Sequence, residues 1–310
     1  MNKYLFRRTL RTFLTLWVLL TLLFVLMRLS GDPIRSVFEN GTPQYIIDYY
    51  RKKWGLDRPV LQQYFEYLGN ILKGDLGRSF FDGRPVLDHI GEALPNTLKL
   101  GLISFLVSSL GGLALGLWAA LKQGSFIDRM IVTITVLSYS MPNYFLGIIM
   151  ILVLSLGFRW LPTGGMGDWK NYIMPVITLA TPAAAYIARF ARSALLDVLR
   201  QPYLRTANAK GVKWFRRISW HALPNAAIPI VTILGLQLGW IIGGAAVVEI
   251  VFSWPGIGRM LVTAVGKRDF EMVQGVVLII GLSVTLTNFL VDLLYALLDP
   301  RIKYSKESSS

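Results

Sequence analysis

Six long apolar runs constrain this chain more than any motif it carries: roughly residues 9–29, 97–121, 131–157, 173–190, 227–252 and 275–298. A helix rises 1.5 Å per residue, so about 20 apolar residues cross the ~30 Å hydrocarbon core of a bilayer. Runs this long and continuous do not fit the ten-residue alternating strands of a barrel, the other structure that satisfies its backbone in lipid. The composition agrees: 54% of the 310 residues are hydrophobic and 16% charged, against about 25% charged in soluble proteins. The expected fold is an all-α integral membrane protein with six transmembrane helices.

The formal charge of +14 superficially suggests a nucleic-acid partner. Its distribution gives a different reason. Seventeen Lys and Arg fall in 1–11, between the second and third runs, in 189–217 and after the last, against five in the short loops of the other side. Cytoplasmic loops collect Lys and Arg, so both termini are expected in the cytoplasm, with no nucleic-acid partner. Segment 31–95 is then outside; long segments translocate largely regardless of charge. The start, 1–30, has the basic and apolar regions of a signal peptide but no small-x-small cleavage site, and reads as an uncleaved first span.

No cysteine is present, which excludes disulfides and thiolate metal sites. His89 and His221 are expected on opposite sides of the membrane, so they cannot share a metal. No Gly-x4-Gly-Lys-Ser/Thr phosphate loop occurs, so no ATP and no other cofactor is expected on this chain.

Between the first two runs, Pro43 and Gly55 bracket one short amphipathic helix (43–54). Pro59 and Gly74 bracket another (59–73), with Leu61, Tyr64, Phe65, Leu68 and Leu72 on one face. Residues 74–95 read as turns, and Pro95 beside Asn96 as the start of the second span. Met141-Pro142-Asn143 interrupts the third run; proline there is either a tolerated kink or a hinge lining a pathway. Asn288, Asp292, Tyr295 and Asp299 share a face of the last helix; Asn288 and Asp292 read as pathway groups or interhelical hydrogen-bond partners, and Asp299 as a terminal pair with Arg301. Glu249, before the Trp254-Pro255-Gly256 turn, reads equally as a gate for substrate amines or an anchor of that turn.

Residues 200–224 form a basic island with six Lys/Arg and no acid. It reads as helix, Gly211 hinge, second short helix, then Leu223-Pro224 resetting the chain for the fifth span. A loop serving only charge topology needs no Trp214, Phe215 and Trp220 in water. Those side chains suggest the lipid interface or a docking partner.

The pattern Arg205-Thr206-Ala207, three residues, Gly211, nine residues, His221-Ala222-Leu223-Pro224 resembles the EAA loop of bacterial ABC importer permeases. That loop reads Glu-Ala-Ala, three residues, Gly, nine residues, Ile-x-Leu-Pro; Arg and His here replace its acid and Ile, as the peptide/nickel branch tolerates. Gly31-Asp32-Pro33, Gly55-Leu56-Asp57-Arg58-Pro59, Gly74-Asp75-Leu76-Gly77, Leu94-Pro95-Asn96-Thr97, Glu249 through Gly258, and Asp299-Pro300-Arg301 extend the resemblance to dipeptide/oligopeptide permease subunits (DppB/OppB type) over nearly the whole chain. The resemblance implies a type I permease fold in a bacterial inner membrane. It also implies a division into 1–30, the 31–95 insertion, a 96–300 core and the 301–310 tail. The implied partners are a second homologous permease, two cytoplasmic ATPases holding ATP and Mg, and a periplasmic binding protein. Arg205, Thr206, Ala207, Gly211, His221, Leu223 and Pro224 would form the ATPase-coupling loop. Asn96, Pro142, Asn143, Glu249, Trp254, Asn288 and Asp292 are the candidate pathway or gate residues. The implied cargo is a di- or oligopeptide, nickel, glutathione or another small solute. An ion-coupled secondary transporter would instead need charged or broken mid-membrane helices in two related halves, and a membrane enzyme would need a metal cluster or triad; neither pattern is seen.

Overall fold

The computed structural model describes the backbone at residues 2–29, 31, 34–38, 41–239, 241 and 243–298, and the side chains of these except 2–8, 35, 36 and 290–298. Among them the regular elements are helices, with one isolated antiparallel bridge between Arg78 and Pro85. In chain order these are α1 (Asn2–Leu29), α2 (Ile34–Val37), α3 (Gln44–Lys53), α4 (Val60–Leu72), α5 (Val86–Leu121), α6 (Phe126–Ser140) and α7 (Asn143–Met150). Then come α8 (Lys170–Leu199), α9 (Pro202–Ala209), α10 (Trp214–Arg216), α11 (Leu223–Gly239), α12 (Ala246–Val251), α13 (Ile257–Lys267) and α14 (Phe270–Leu298). Wide π-turns extend α7 through Ile151–Gly157 and join α10 to α11 through Arg217–Ala222. Among the described residues, five helices are long and apolar enough to cross a membrane, or six if the bent α6–α7 pair is one span.

The chain divides into two compact units, Met1–Asn96 with Pro255–Thr285, and Thr97–Trp254 with Leu286–Ser310. In the first, α1 turns Leu20 and Phe24 inward and leaves Phe13, Val18 and Leu22 exposed. Pro43 and Pro59 cap α3 and α4 with extended backbone, one position outside the expected starts. Trp54 stacks on Phe80 at 4.4 Å, and Asp269 accepts from the Ser79 hydroxyl at 2.6 Å, tying the loop before α5 to the α13–α14 turn.

α5 starts at Val86, eleven residues before the expected start at 97, so Pro95 lies inside a helix instead of opening one. The physical reason is packing: Val86, Ile90 and Ala93, at helical spacing, are buried. Their burial outweighs the backbone hydrogen bond that proline removes. The fifth span is also interrupted: α11 ends at Gly239, and α12 begins only at Ala246. Glycines at 239, 243 and 244 weaken the helix there.

In the second unit, α8 is the central element and packs against α6, α7 and α11. Gly112 and Gly116 of α5 lie directly on the α8 backbone at Ala184 and Ala188, the close approach that small residues permit between membrane helices.

Candidate functional site: a basic hairpin and a cavity

α8 leads into the hairpin without a long linker. Gln201 is extended, and Pro202 opens α9 at a position where its missing N–H costs nothing. α9 ends at Lys210, and Gly211 turns the chain at φ +76°. The expected proline reset is replaced by something different. Leu223-Pro224 sits within one continuous helical run, Trp214–Gly239. Pro224 would clash with a carbonyl four residues back in a regular α-helix. The preceding π-turn, in which the Leu223 N–H reaches Ile218 O, relieves that conflict by widening the backbone.

The hairpin has two faces. Leu204, Ile218 and Ala222 pack into a buried cluster with Ala120 of α5, Leu195 and Leu196 of α8, and Ala226 of α11. On the other side, Phe215 and Trp220 are each 74% exposed and Trp214 is 55% exposed. Arg205, Thr206, Gly211, His221 and Pro224 are exposed, while Ala207 and Leu223 are half-buried. Tyr203 donates to His221 O at 3.4 Å, and Arg217 donates to Asn208 across the hairpin. The hairpin is therefore held to α5, α8 and α11 by its core and presents basic and aromatic groups outward.

α6 and α8 are joined by an ion pair. Arg192 meets the buried Asp128 carboxylate through Nε–Oδ1 at 2.7 Å and Nη2–Oδ2 at 2.8 Å. The Gly124 amide also donates to Asp128, at 3.0 Å, and the Asp128 amide donates to the Ser125 hydroxyl oxygen, capping α6. At the far end of α6 the chain breaks at Met141-Pro142, and α7 leaves at 99°. That is sharper than a proline kink within one helix.

Beside this break lies a cavity of about 490 Å³ in the second unit. α5 contributes Ser104, Phe105 and Ser108, α6 contributes Tyr139, and α8 contributes Pro182 and Tyr186. Asn143 and Gln237 complete its polar lining, in which no described residue is charged. The Ser104 and Ser108 hydroxyls turn back to carbonyls of their own helix. Tyr139 and Tyr186 stack at 6.2 Å, and Arg189 lies over the Tyr139 ring at 5.9 Å.

The structure distributes the other sequence candidates elsewhere. Glu249 is 0% exposed. It accepts from the Thr97 hydroxyl at 2.5 Å, and its backbone carbonyl accepts from the Trp254 amide at 2.8 Å. Trp254 is buried edge-on against Tyr172 at 4.6 Å. These contacts place the Glu249 carboxylate against Thr97 and its backbone against the Trp254 turn. In the first unit, Asn96 donates to Glu92 O and Pro255 O. Pro142 caps α7, and Asn143 alone of that pair lines the cavity. Asn288 faces Gly239, where an added Cβ would lie 3.0 Å from its Oδ1. The side chain of Asp292 and all of Asp299 lie outside the described residues. Tyr139, Tyr186, Gln237 and Asp128 were not singled out from sequence, and Thr97 only as part of the Leu94-Pro95-Asn96-Thr97 motif. Gln237, an amide inside an apolar run, carried the clearest signal that was available.

A model of the family described as "Binding-protein-dependent transport system inner membrane component" matches residues 112–304. The chain belongs to this family. The family's amino-terminal model, described as "Binding-prot-dependent transport system membrane comp, N-term", matches residues 1–101. This binding-protein-dependent permease is 40% identical over 305 residues to the "Glutathione transport system permease protein GsiC" of Escherichia coli (strain K12), covering 98% of this chain and 100% of the relative. The same protein of Shigella dysenteriae serotype 1 matches equally. Among solved structures, the inward-facing MetNI methionine ABC transporter covers 69% of this permease and 97% of its own matched chain, with TM-score 0.58 and 19% identity. An amino acid ABC transporter solved with histidines covers 67% of this permease and 93% of its own chain, with TM-score 0.54 and 20% identity. Those two likenesses establish the type I permease fold. The chain is thus an ABC importer permease, a membrane component and not itself a catalytic enzyme.

Proposed function

We propose that this permease supplies half of a translocation pathway for a short peptide, with glutathione or a di- or oligopeptide as the cargo class. In this reading a second homologous permease supplies the other half, and a periplasmic binding protein delivers the solute. Two cytoplasmic ATPases carry ATP and Mg and drive the cycle by engaging the 200–224 hairpin. The chain lies in a bacterial inner membrane with both termini in the cytoplasm, as the bias of Lys and Arg between its loops favours.

The observation that carries this reading is the hairpin's division of labour. Phe215, Trp220 and Trp214 are exposed on a polar, basic element whose buried side is fastened to α8 and α11. Both of those helices line the cavity. Force applied to the exposed face therefore acts on cavity walls. The lining favours a peptide over a metal ion: hydroxyl, amide and aromatic groups suit a peptide's amide groups, whereas nickel needs imidazole, thiolate or carboxylate donors.

The test is reconstitution of the importer in liposomes, with uptake of labelled glutathione, a dipeptide and nickel compared alongside ATP hydrolysis. F215E with W220E should abolish ATP-driven uptake while the chain still inserts. Full uptake by that variant would exclude the hairpin as the drive point, and uptake of nickel alone would exclude the peptide cargo.

A further inference from the structure

Of the apolar face expected for α4, Tyr64 packs inward, whereas Leu61, Phe65 and Leu72 do not. At about 100° per residue, Leu61, Phe65, Leu68 and Leu72 fall in one stripe roughly 60° wide. Leu61 is 68%, Phe65 62% and Leu72 83% exposed. The packed side is the one carrying Gln63, Tyr64 and Tyr67. Gln63 is buried, donates to Arg58 O at 2.7 Å and accepts from Arg28 of α1. Tyr64 shares a 2.7 Å hydrogen bond with Thr21, and the Phe24 ring contacts Tyr64 at 5.4 Å and Tyr67 at 5.8 Å.

These contacts set the depth of α4. Thr21 and Phe24 lie inside the apolar span Thr9–Leu29. At 1.5 Å per residue Phe24 is about 7 Å short of the end of that span, and Thr21 about 12 Å short. A helix clasped to α1 at this level cannot stand clear in water beyond the membrane. It meets the depth, about 5–10 Å into the boundary of headgroups and acyl chains, at which amphipathic interfacial helices rest. The third side of α4 fits the same placement, since Gln62, Glu66 and Asn70 occupy the remaining sector. Glu66 receives hydrogen bonds from Gln62 and Arg58 that hold its carboxyl below the usual carboxylate range. One sector thus grips α1, one is apolar and uncovered, and one is charged. Leu22 and Leu26 of α1 are exposed and lie at the level of Thr21 and Phe24 in the same apolar span.

We propose that α4 is an interfacial membrane helix, with Leu61, Phe65 and Leu72 against lipid acyl chains of the leaflet at the carboxyl end of α1. The occupant is lipid, and neither solvent nor a protein partner. In the orientation proposed above this is the outer leaflet, and only that assignment rests on the earlier reading. Segment 31–95 is then partly a membrane element and not wholly an extramembrane insertion.

The absence of native cysteine makes the test clean. Single spin labels placed by L61C, F65C, L72C, Q62C and E66C in the reconstituted importer are read by collision with oxygen, which partitions into acyl chains, and with a water-soluble nickel chelate. Labels at 61, 65 and 72 should favour oxygen and those at 62 and 66 the chelate, a reversal within one helix. Chelate access at 65 would overturn the proposal in favour of water. Shielding from both reagents would overturn it in favour of a protein partner. Adding chelate on one side only separates the orientation: access at 62 from the cytoplasmic side reverses the leaflet but leaves the lipid contact standing. Should a label prevent assembly, a photoactivatable phospholipid on the unmodified chain serves instead. Crosslinks within residues 60–72 support the proposal, and their absence beside labelled α1 overturns it.

Discussion

Arg192 of α8 holds Asp128 at the first turn of α6 with two parallel hydrogen bonds of 2.7 and 2.8 Å. The pair joins the helix that leads into the hairpin to the helix that breaks at Met141-Pro142. Removing one member of a fully buried pair costs ~3–5 kcal/mol. Arg192 keeps some solvent access, so about 2 kcal/mol is expected for D128N or R192Q. Thermal unfolding of the purified protein in detergent measures it. R192K should recover only part of the loss, because an ammonium cannot reproduce the guanidinium fork. Because α6 meets α8 here, R192Q should also lower solute moved per ATP hydrolysed, and an unchanged ratio would show the pair to be structural only.

Glu249 and Thr97 make a second test. If Glu249 anchors the Trp254 turn, E249Q keeps a group that can accept from Thr97 and should retain uptake. E249A leaves a buried cavity and a weakened network, with a loss of about 1–3 kcal/mol. Uptake and unfolding measured together separate the cases: loss of uptake at full stability in E249Q would mark a solute-binding carboxylate.

Gly211 stands at φ +76° with no atom within 4 Å of where a Cβ would be. The cost of substitution is therefore conformational and not steric. G211V should insert normally but lose uptake, because a β-branched residue resists the left-handed region by ~1–2 kcal/mol or more. G211N should retain most activity, since Asn tolerates that region. Membrane fractionation beside an uptake assay reads both.

At Gly116 the balance is the reverse. A Cβ there would collide with the Ala188 backbone, so even G116A must push α5 from α8. A cost of about 1–3 kcal/mol is expected from overpacking, larger for G116V. The yield of folded protein after detergent extraction should fall in that order, and an unaffected G116V would mean the helices are not this close.

The legible parts of this fold were those written in local runs. Apolar length located the spans, Pro43 and Pro59 placed the starts of α3 and α4 within one residue, and the spacing around Gly211 singled out the hairpin. Elements decided by packing were not legible. Pro95 looks like a helix start until Val86, Ile90 and Ala93 are seen to be buried together. Pro224 looks like a break until the π-turn before it absorbs the strain. Glu249 kept two roles because a carboxylate is written identically whether it faces a pathway or a buried hydroxyl.

The sequence by itself determined that the chain must live in a bilayer, how many times it can cross, and which polar segment must remain outside lipid. Those are one-dimensional properties, since hydrophobic length and charge act segment by segment. Only the tertiary structure decided which face of each helix is used. The aromatic side of the hairpin is left open because Leu204 and Ile218 occupy its core. The stripe on α4 is left open because Gln63 and Tyr64 grip α1 instead. Asp128 finds Arg192, 64 positions away, because a buried charge is tolerated only where the fold delivers its counter-charge.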